Sequence, residues 1–184
     1  LSAQCTDVLV NKVTRELFKK YKTPQDYLDV SLEELEQDIR SIGLYRNKAK
    51  NIQKLCRSLI DKFDGKIPNN RTDLESLAGV GRKTANVVLS VAFGVPALAV
   101  DTHVERVSKR LGINRWKDSV KEVEERLCSI IPKERWNQSH HQLIFFGRYH
   151  CLARAPKCDI CPLFDDCREG QKRYREKLRK EAKA

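Results

Sequence analysis

The chain has 184 residues, 33% of them charged and 40% hydrophobic, which allows one domain or two small lobes and supplies enough apolar material for a buried core. No run of about 18 uncharged apolar residues occurs, so a membrane-spanning helix is excluded, as are collagen-like and disordered classes. The 36 Lys and Arg against 25 Asp and Glu give a formal charge of +11, which favours a polyanionic partner, nucleic acid ahead of an anionic membrane surface.

From the N-terminus, Leu1 to Val10 contain no basic stretch and no small-residue cleavage site, so no signal peptide is expected. Methionine is absent throughout, position 1 included, and the chain therefore reads as a segment of a longer protein. Thr23-Pro24 opens a short helix. Ser31-Leu-Glu-Glu34 is a capping box whose helix runs towards Gly43. Apolar residues Ile52, Leu55, Cys56, Leu59, Ile60 and Phe63 recur at helical spacing between Arg46 and Phe63, and Gly65 stops that helix. A polar turn follows to Arg71, and Thr72-Asp-Leu-Glu75 and Ser119-Val-Lys-Glu122 are further capping boxes. No alternating strand pattern is present, so the expected fold class is all-α. Gly94 and Pro96 punctuate the stretch from Phe93 to Val100 and place the best domain boundary there, giving lobes 1–95 and 96–184. Between Arg168 and Lys183 eight basic residues stand against three acidic ones, so part of the positive charge forms a C-terminal tail.

Of the seven cysteines, Cys5, Cys56 and Cys128 sit singly in helical patterns and read as small buried apolar residues. Cys151, Cys158, Cys161 and Cys167 follow a C-x6-C-x2-C-x5-C spacing. An odd total without an export signal points to a reducing compartment and to metal ligation rather than disulfides. Four close thiolates suit a structural zinc or an iron–sulfur cluster. With only one tight C-x2-C pair, the spacing is less typical of zinc.

Two further constellations carry chemistry. In Leu77-Ala-Gly79-Val-Gly81-Arg82-Lys83-Thr84-Ala85, two glycines break one helix just before the next begins. Their backbone freedom lets successive N–H groups converge, and the helix N-terminus adds unpaired donors and partial positive charge. The expected result is a phosphate seat that reads no base sequence, with Arg82 adding charge. Lys83 opens a helix that is nearly all apolar after Asn86, and burial beside a helix N-terminus is expected to disfavour its ammonium form, as an amine nucleophile requires. In Val100-Asp101-Thr102-His103-Val104-Glu105-Arg106, Asp101 is either a helix N-cap or, if the Thr102–Glu105 box caps that helix, a carboxylate free to face Lys83. His103 reads as a hydrogen-bonding histidine and is also a candidate DNA contact.

With these motifs, Leu1-Ser-Ala-Gln-Cys-Thr-Asp7 and Ile42-Gly-Leu-Tyr45, essentially the whole chain resembles the endonuclease III branch of the helix-hairpin-helix DNA glycosylase superfamily. The resemblance implies a two-lobed all-α fold, a hairpin at about residues 72–93, and a [4Fe–4S] cluster held by Cys151, Cys158, Cys161 and Cys167. It implies that Lys83 is the Schiff-base nucleophile and Asp101 the essential aspartate. Gln4 and Leu44 match residues that fill the gap and wedge the duplex when a nucleotide is flipped out. Gly79, Gly81 and Arg82 are the expected phosphate contacts, joined by Arg154 and Lys157 of the cluster loop. Ala78 departs from the pattern, standing where the family hairpin usually has proline, and the N-terminal helix that the family packs into the cluster lobe is expected to be missing. The implied activity is excision of oxidised pyrimidines from duplex DNA and β-elimination at the abasic site. A monomer in the cytoplasm, associated with the nucleoid and not with membranes, is expected. Two alternatives stay open: a module that only holds DNA, and an enzyme for another lesion such as mismatched thymine.

Overall fold

The computed structural model describes residues 1–182, apart from the side chain of Glu181; Lys183 of the basic tail lies outside the described residues. Among these the structure is helical: α1 (Asp7–Lys20), α2 (Asp26–Asp29), α3 (Leu32–Asp38), α4 (Tyr45–Phe63), α5 (Arg71–Ser76), α6 (Arg82–Phe93), α7 (Thr102–Arg110), α8 (Val120–Ile130), α9 (Trp136–Tyr149) and α10 (Arg168–Glu181). Single 3₁₀ turns occupy Lys133–Arg135 and Cys158–Ile160. No strand is present among the described residues, and none of their helices is long and apolar enough to cross a membrane.

The chain divides into two compact units, Leu1–Ala85 and Asn86–Ala184. That division falls inside α6, ahead of the boundary expected at residue 95. The reason lies in Asn86, whose fully buried side chain donates to Leu98 O at 3.2 Å and ties the body of α6 to the segment after it.

In the first unit, Val10, Leu17, Tyr21, Leu35, Ile39, Ile42 and Ala49 form the core. Gln53 of α4 donates to Tyr27 O and Val30 O at 3.1 and 3.0 Å, so the end of α2 is seated on α4. Ser31 caps α3 through Glu34 N. The reciprocal Glu34 bond expected of a box is replaced, because Glu34 instead accepts from Lys20 at 2.6 Å. The helix also stops at Asp38, short of Gly43, and continues as turns. Nor does Thr72 start α5. Asn70 takes that place, its Oδ1 accepting from Asp73 N at 3.0 Å. An amide two residues earlier outcompetes the threonine because Asn70 also donates to the Asp73 carboxylate at 2.6 Å.

The second unit packs Leu98, Val100, Val104, Val123 and Leu127 together. Ser119 and Glu122 make both bonds of the expected box at the start of α8. Helix α7 packs against α9 at Gly147, where a Cβ would lie 2.9 Å from the His103 Cβ. Only glycine admits that approach.

Candidate active site and metal centre

Gly79 carries a φ of +77°, and a Cβ there would lie 3.3 Å from the Asn51 Cβ on α4. The turn between α5 and α6 thus needs glycine for its backbone and for its fit. Gly81 O accepts from Ala85 N at 3.0 Å, the first intrahelical bond of α6. Amides ahead of Ala85 therefore have no partner within the helix and sit at its positive end.

Lys83, in the first turn of α6, is exposed. The expected desolvation is absent, because α6 buries Ala85, Asn86 and Leu89 while Val91 and Phe93 stay 71% and 39% exposed. The apolar run had implied a helix buried all round. Lys83 lies near the end of the first unit and Asp101 in the second.

Asp101 is the N-cap of α7, its Oδ1 accepting from both His103 N and Val104 N at 2.9 Å. The Thr102–Glu105 box does not form, since Glu105 pairs with Lys109 at 2.7 Å. One carboxylate oxygen takes both amides, so the cap does not consume the other. His103 is half-buried, and its Nδ1 lies 3.1 Å from Arg106 Nη2. Arginine only donates, so Nδ1 accepts and the proton resides on Nε2.

Gln4 and Leu44 are both exposed and both hold left-handed backbone, with φ of 56° and 60°. The structure brings their loops together: a Cβ on Gly43 would lie 3.7 Å from Gln4 O. Arg82 is half-buried, while Arg154 and Lys157 are exposed on the loop between Cys151 and Cys158.

The four loop cysteines are free thiols lining one cavity of about 30 Å³. Among the described residues no three His, Cys, Asp or Glu side chains are grouped for a single ion. Four thiols around one cavity are the donor set that iron–sulfur clusters use. Burial and the neighbouring thiols of Cys151, Cys161 and Cys167 push the Cys158 thiol up, with Arg173 opposing. Cys167 also caps α10, accepting from Gly170 N at 3.3 Å, a donor that suits a thiolate. His150 lines the same cavity with a buried Nε2 that has no partner, a donor that a cluster sulfur would satisfy. These residues fit an iron–sulfur group.

Arg106 and Arg110 were not singled out from the sequence. Arg106 Nε donates to Cys151 O at 3.2 Å and Nη2 to Gly147 O at 2.8 Å. Arg110 donates to Leu152 O at 2.6 Å and Ala153 O at 3.0 Å, with Nη1 3.4 Å from the Cys151 Sγ. Their spacing of one helical turn was the available signal, but cations one turn apart are ordinary on solvated faces.

Comparison with known proteins points to one superfamily. The profile of the HhH-GPD superfamily base excision DNA repair proteins matches residues 1–133, and that of the iron–sulfur binding domain of endonuclease III matches residues 151–167. Endonuclease III of Bacillus subtilis (strain 168) is 68% identical over 178 residues, covering 97% of this chain and 81% of the relative. That of Escherichia coli (strain K12) is 48% identical over 172 residues, 94% of this chain and 81% of the relative. A trapped endonuclease III–DNA covalent intermediate with an estranged adenine superposes with a TM-score of 0.91 at 71% identity, over 94% of this chain and 81% of that one. A thermostable thymine-DNA glycosylase gives a TM-score of 0.83 at 30% identity, over 91% of this chain and 78% of that one.

Proposed function

The chain belongs to the endonuclease III family of the HhH-GPD superfamily, and from that premise we propose that Lys83 is its Schiff-base nucleophile and Asp101 the aspartate that supports it. The protein is a DNA glycosylase and abasic-site lyase of base excision repair; it binds DNA, and its cofactor is a [4Fe–4S] cluster. Within that activity the lesion we propose is an oxidised pyrimidine in duplex DNA. The active form is a monomer in the cytoplasm, associated with the nucleoid.

The observation that carries the residue assignment is the exposed Lys83 amine in the first turn of a helix that begins at a glycine-built anion seat. Backbone donors after Gly79 and Gly81 hold a phosphate, with charge from Arg82, the His103 Nε2–H, Arg154 and Lys157. The base leaves the stack at a cost of a few kcal/mol, least for a damaged one. Gln4 and Leu44 occupy the vacated space. As the N-glycosidic bond breaks, positive charge grows on the sugar and the Asp101 carboxylate opposes it. The Lys83 amine bonds to C1′, loses a proton and, with the sugar ring open, becomes an imine. Loss of a 2′ proton then expels the 3′ phosphate. Cys151, Cys158, Cys161 and Cys167 hold the cluster, which supplies structural cross-linking of the loop when bound. The functional lobes are residues 1–95, presenting the hairpin, and 96–184, presenting the cluster loop.

Borohydride during turnover tests the assignment. A covalent adduct should form on a duplex carrying an oxidised pyrimidine, and Lys83→Gln should abolish it while retaining much of the DNA binding. Asp101→Asn keeps a good N-cap, so it should depress base removal while sparing strand cleavage at a preformed abasic site. An undiminished adduct in folded Lys83→Gln protein moves the nucleophile elsewhere. A duplex with a thymine mismatch belongs in the same assay, because one similar structure is a thymine-DNA glycosylase. Faster excision there would replace the oxidised-pyrimidine reading.

A further inference from the structure

Gln4 occupies the third position of a turn closed by a 3.2 Å bond from Cys5 N to Ser2 O. Its φ of 56° is the left-handed value that turns of this kind reserve for glycine or asparagine. Flipping the peptide between Ala3 and Gln4 would relieve that conformation. The carbonyl that would have to move is held: Lys48 Nζ donates to Ala3 O at 2.6 Å and to Leu1 O at 2.9 Å. The other end of Lys48 is fixed as well, its backbone N donating to Leu44 O at 3.1 Å. Leu44 is itself left-handed, with a φ of 60°. One residue thus bonds both loops that carry an exposed, strained side chain.

We infer that Lys48 is a positioning residue that locks the Gln4 turn beside Leu44, so that the two side chains enter the duplex as a pair. The inference rests on the gap-filling reading of Gln4 and Leu44. Its chemistry is simple: three ammonium donors on a half-buried stem offset the backbone strain of a turn whose own residue does not favour it. Without the ammonium, the Ala3–Gln4 peptide relaxes and the Gln4 side chain swings away from the place where a flipped nucleotide leaves its gap.

The test uses the full-length, cluster-loaded enzyme. Lys48→Met removes the donors and keeps the stem. Lys48→Gln keeps a donor without the reach, and Lys48→Arg keeps both charge and reach. Excision of an oxidised pyrimidine from duplex should fall in the first two by up to about a hundredfold, the loss a misplacement near 1 Å can produce, and recover in Lys48→Arg. Fluorescence of 2-aminopurine opposite the lesion should report less unstacking, while affinity for intact duplex stays near wild type. Adding Gln4→Ala to Lys48→Met should cost little beyond either change alone, since both act through one side chain. Wild-type excision by Gln4→Ala overturns the gap-filling reading itself. If Gln4→Ala is impaired while Lys48→Met is not, or if their losses multiply, that reading stands and the role given to Lys48 falls.

Discussion

A side chain held at positive φ raises the energy of the folded state, and the structure tolerates it at Gln4, Leu44, Asp64 and Ala155. Asp64 ends α4 and Ala155 lies in the cluster loop; the other two are exposed at positions the resemblance assigns to the duplex. The hairpin avoids the same cost by using glycine. A methyl group at Gly79 faces both a φ of +77° and Asn51 at 3.3 Å, whereas one at Gly81 meets nothing within 4 Å. Gly79→Ala should therefore lose about 1–2 kcal/mol for the left-handed backbone, with further loss from crowding against α4. With the turn acting as the proposed phosphate seat, it should also weaken intact and damaged duplexes equally. Gly81→Ala should be the milder change in stability. Thermal unfolding and titration with both duplexes check the pair, and equal destabilisation by the two alanines would remove the conformational account.

At the scale of elements, local sequence rules located most helices and misplaced several of their starts. The Ser119–Glu122 box formed because both side chains face solvent with no better partner, and the Ser119 hydroxyl and amide hold the Glu122 carboxyl below its usual value. The stabilisation from a carboxyl shifted in that direction is present at neutral pH and is lost as pH falls through the lowered value. In Ser119→Ala the cap should cost about 1 kcal/mol, and Glu122 should titrate closer to an ordinary glutamate by carboxyl NMR. Elsewhere the same motif lost to longer-range chemistry. Lys20 drew Glu34 away, Lys109 drew Glu105 away, and Asn70 displaced Thr72. Asn70→Ala should consequently destabilise by a similar amount while Thr72→Ala stays near neutral in denaturant unfolding. A larger loss at Thr72 would contradict the observed cap. Spacing alone cannot rank such competitors, because the winners come from distant sequence or from a residue outside the motif. The cysteine loop was legible for the opposite reason: four thiols so close in sequence can hardly avoid meeting. Lys48 and the arginines of α7 were not legible, since their partners are backbone carbonyls, which have no sequence signature.

The whole molecule carries +11 in sequence, but part of its positive charge is already engaged. Lys20 pairs with Glu34 and Asp38, Arg115 with Asp118 and Arg173 with Glu169, while Lys177 stands 3.8 Å from Asp159. Lys109 is spent on Glu105 and two carbonyls, and Arg106 and Arg110 on the cluster loop. What DNA can meet is therefore a smaller set than the composition implies. We place Arg154 and Lys157 in it, since both are exposed and neither forms an ion pair with a described residue. They stand on the loop whose backbone the α7 arginines hold, so their position is fixed from beneath while their charge is left for phosphate. Neutralising a phosphate on duplex DNA contributes roughly −0.9 to the slope of log affinity against log salt. Replacing both residues with alanine should flatten that slope by up to about 1.8, twice the contribution of one phosphate. It should also weaken intact and lesion-bearing duplexes by the same factor. The borohydride adduct should still form at saturating DNA, because the proposed mechanism gives neither residue a part at the reacting sugar. If the double variant kept its salt slope and lost affinity only for the lesion duplex, this loop would be reading the damage, and phosphate seating would have to come from the hairpin alone.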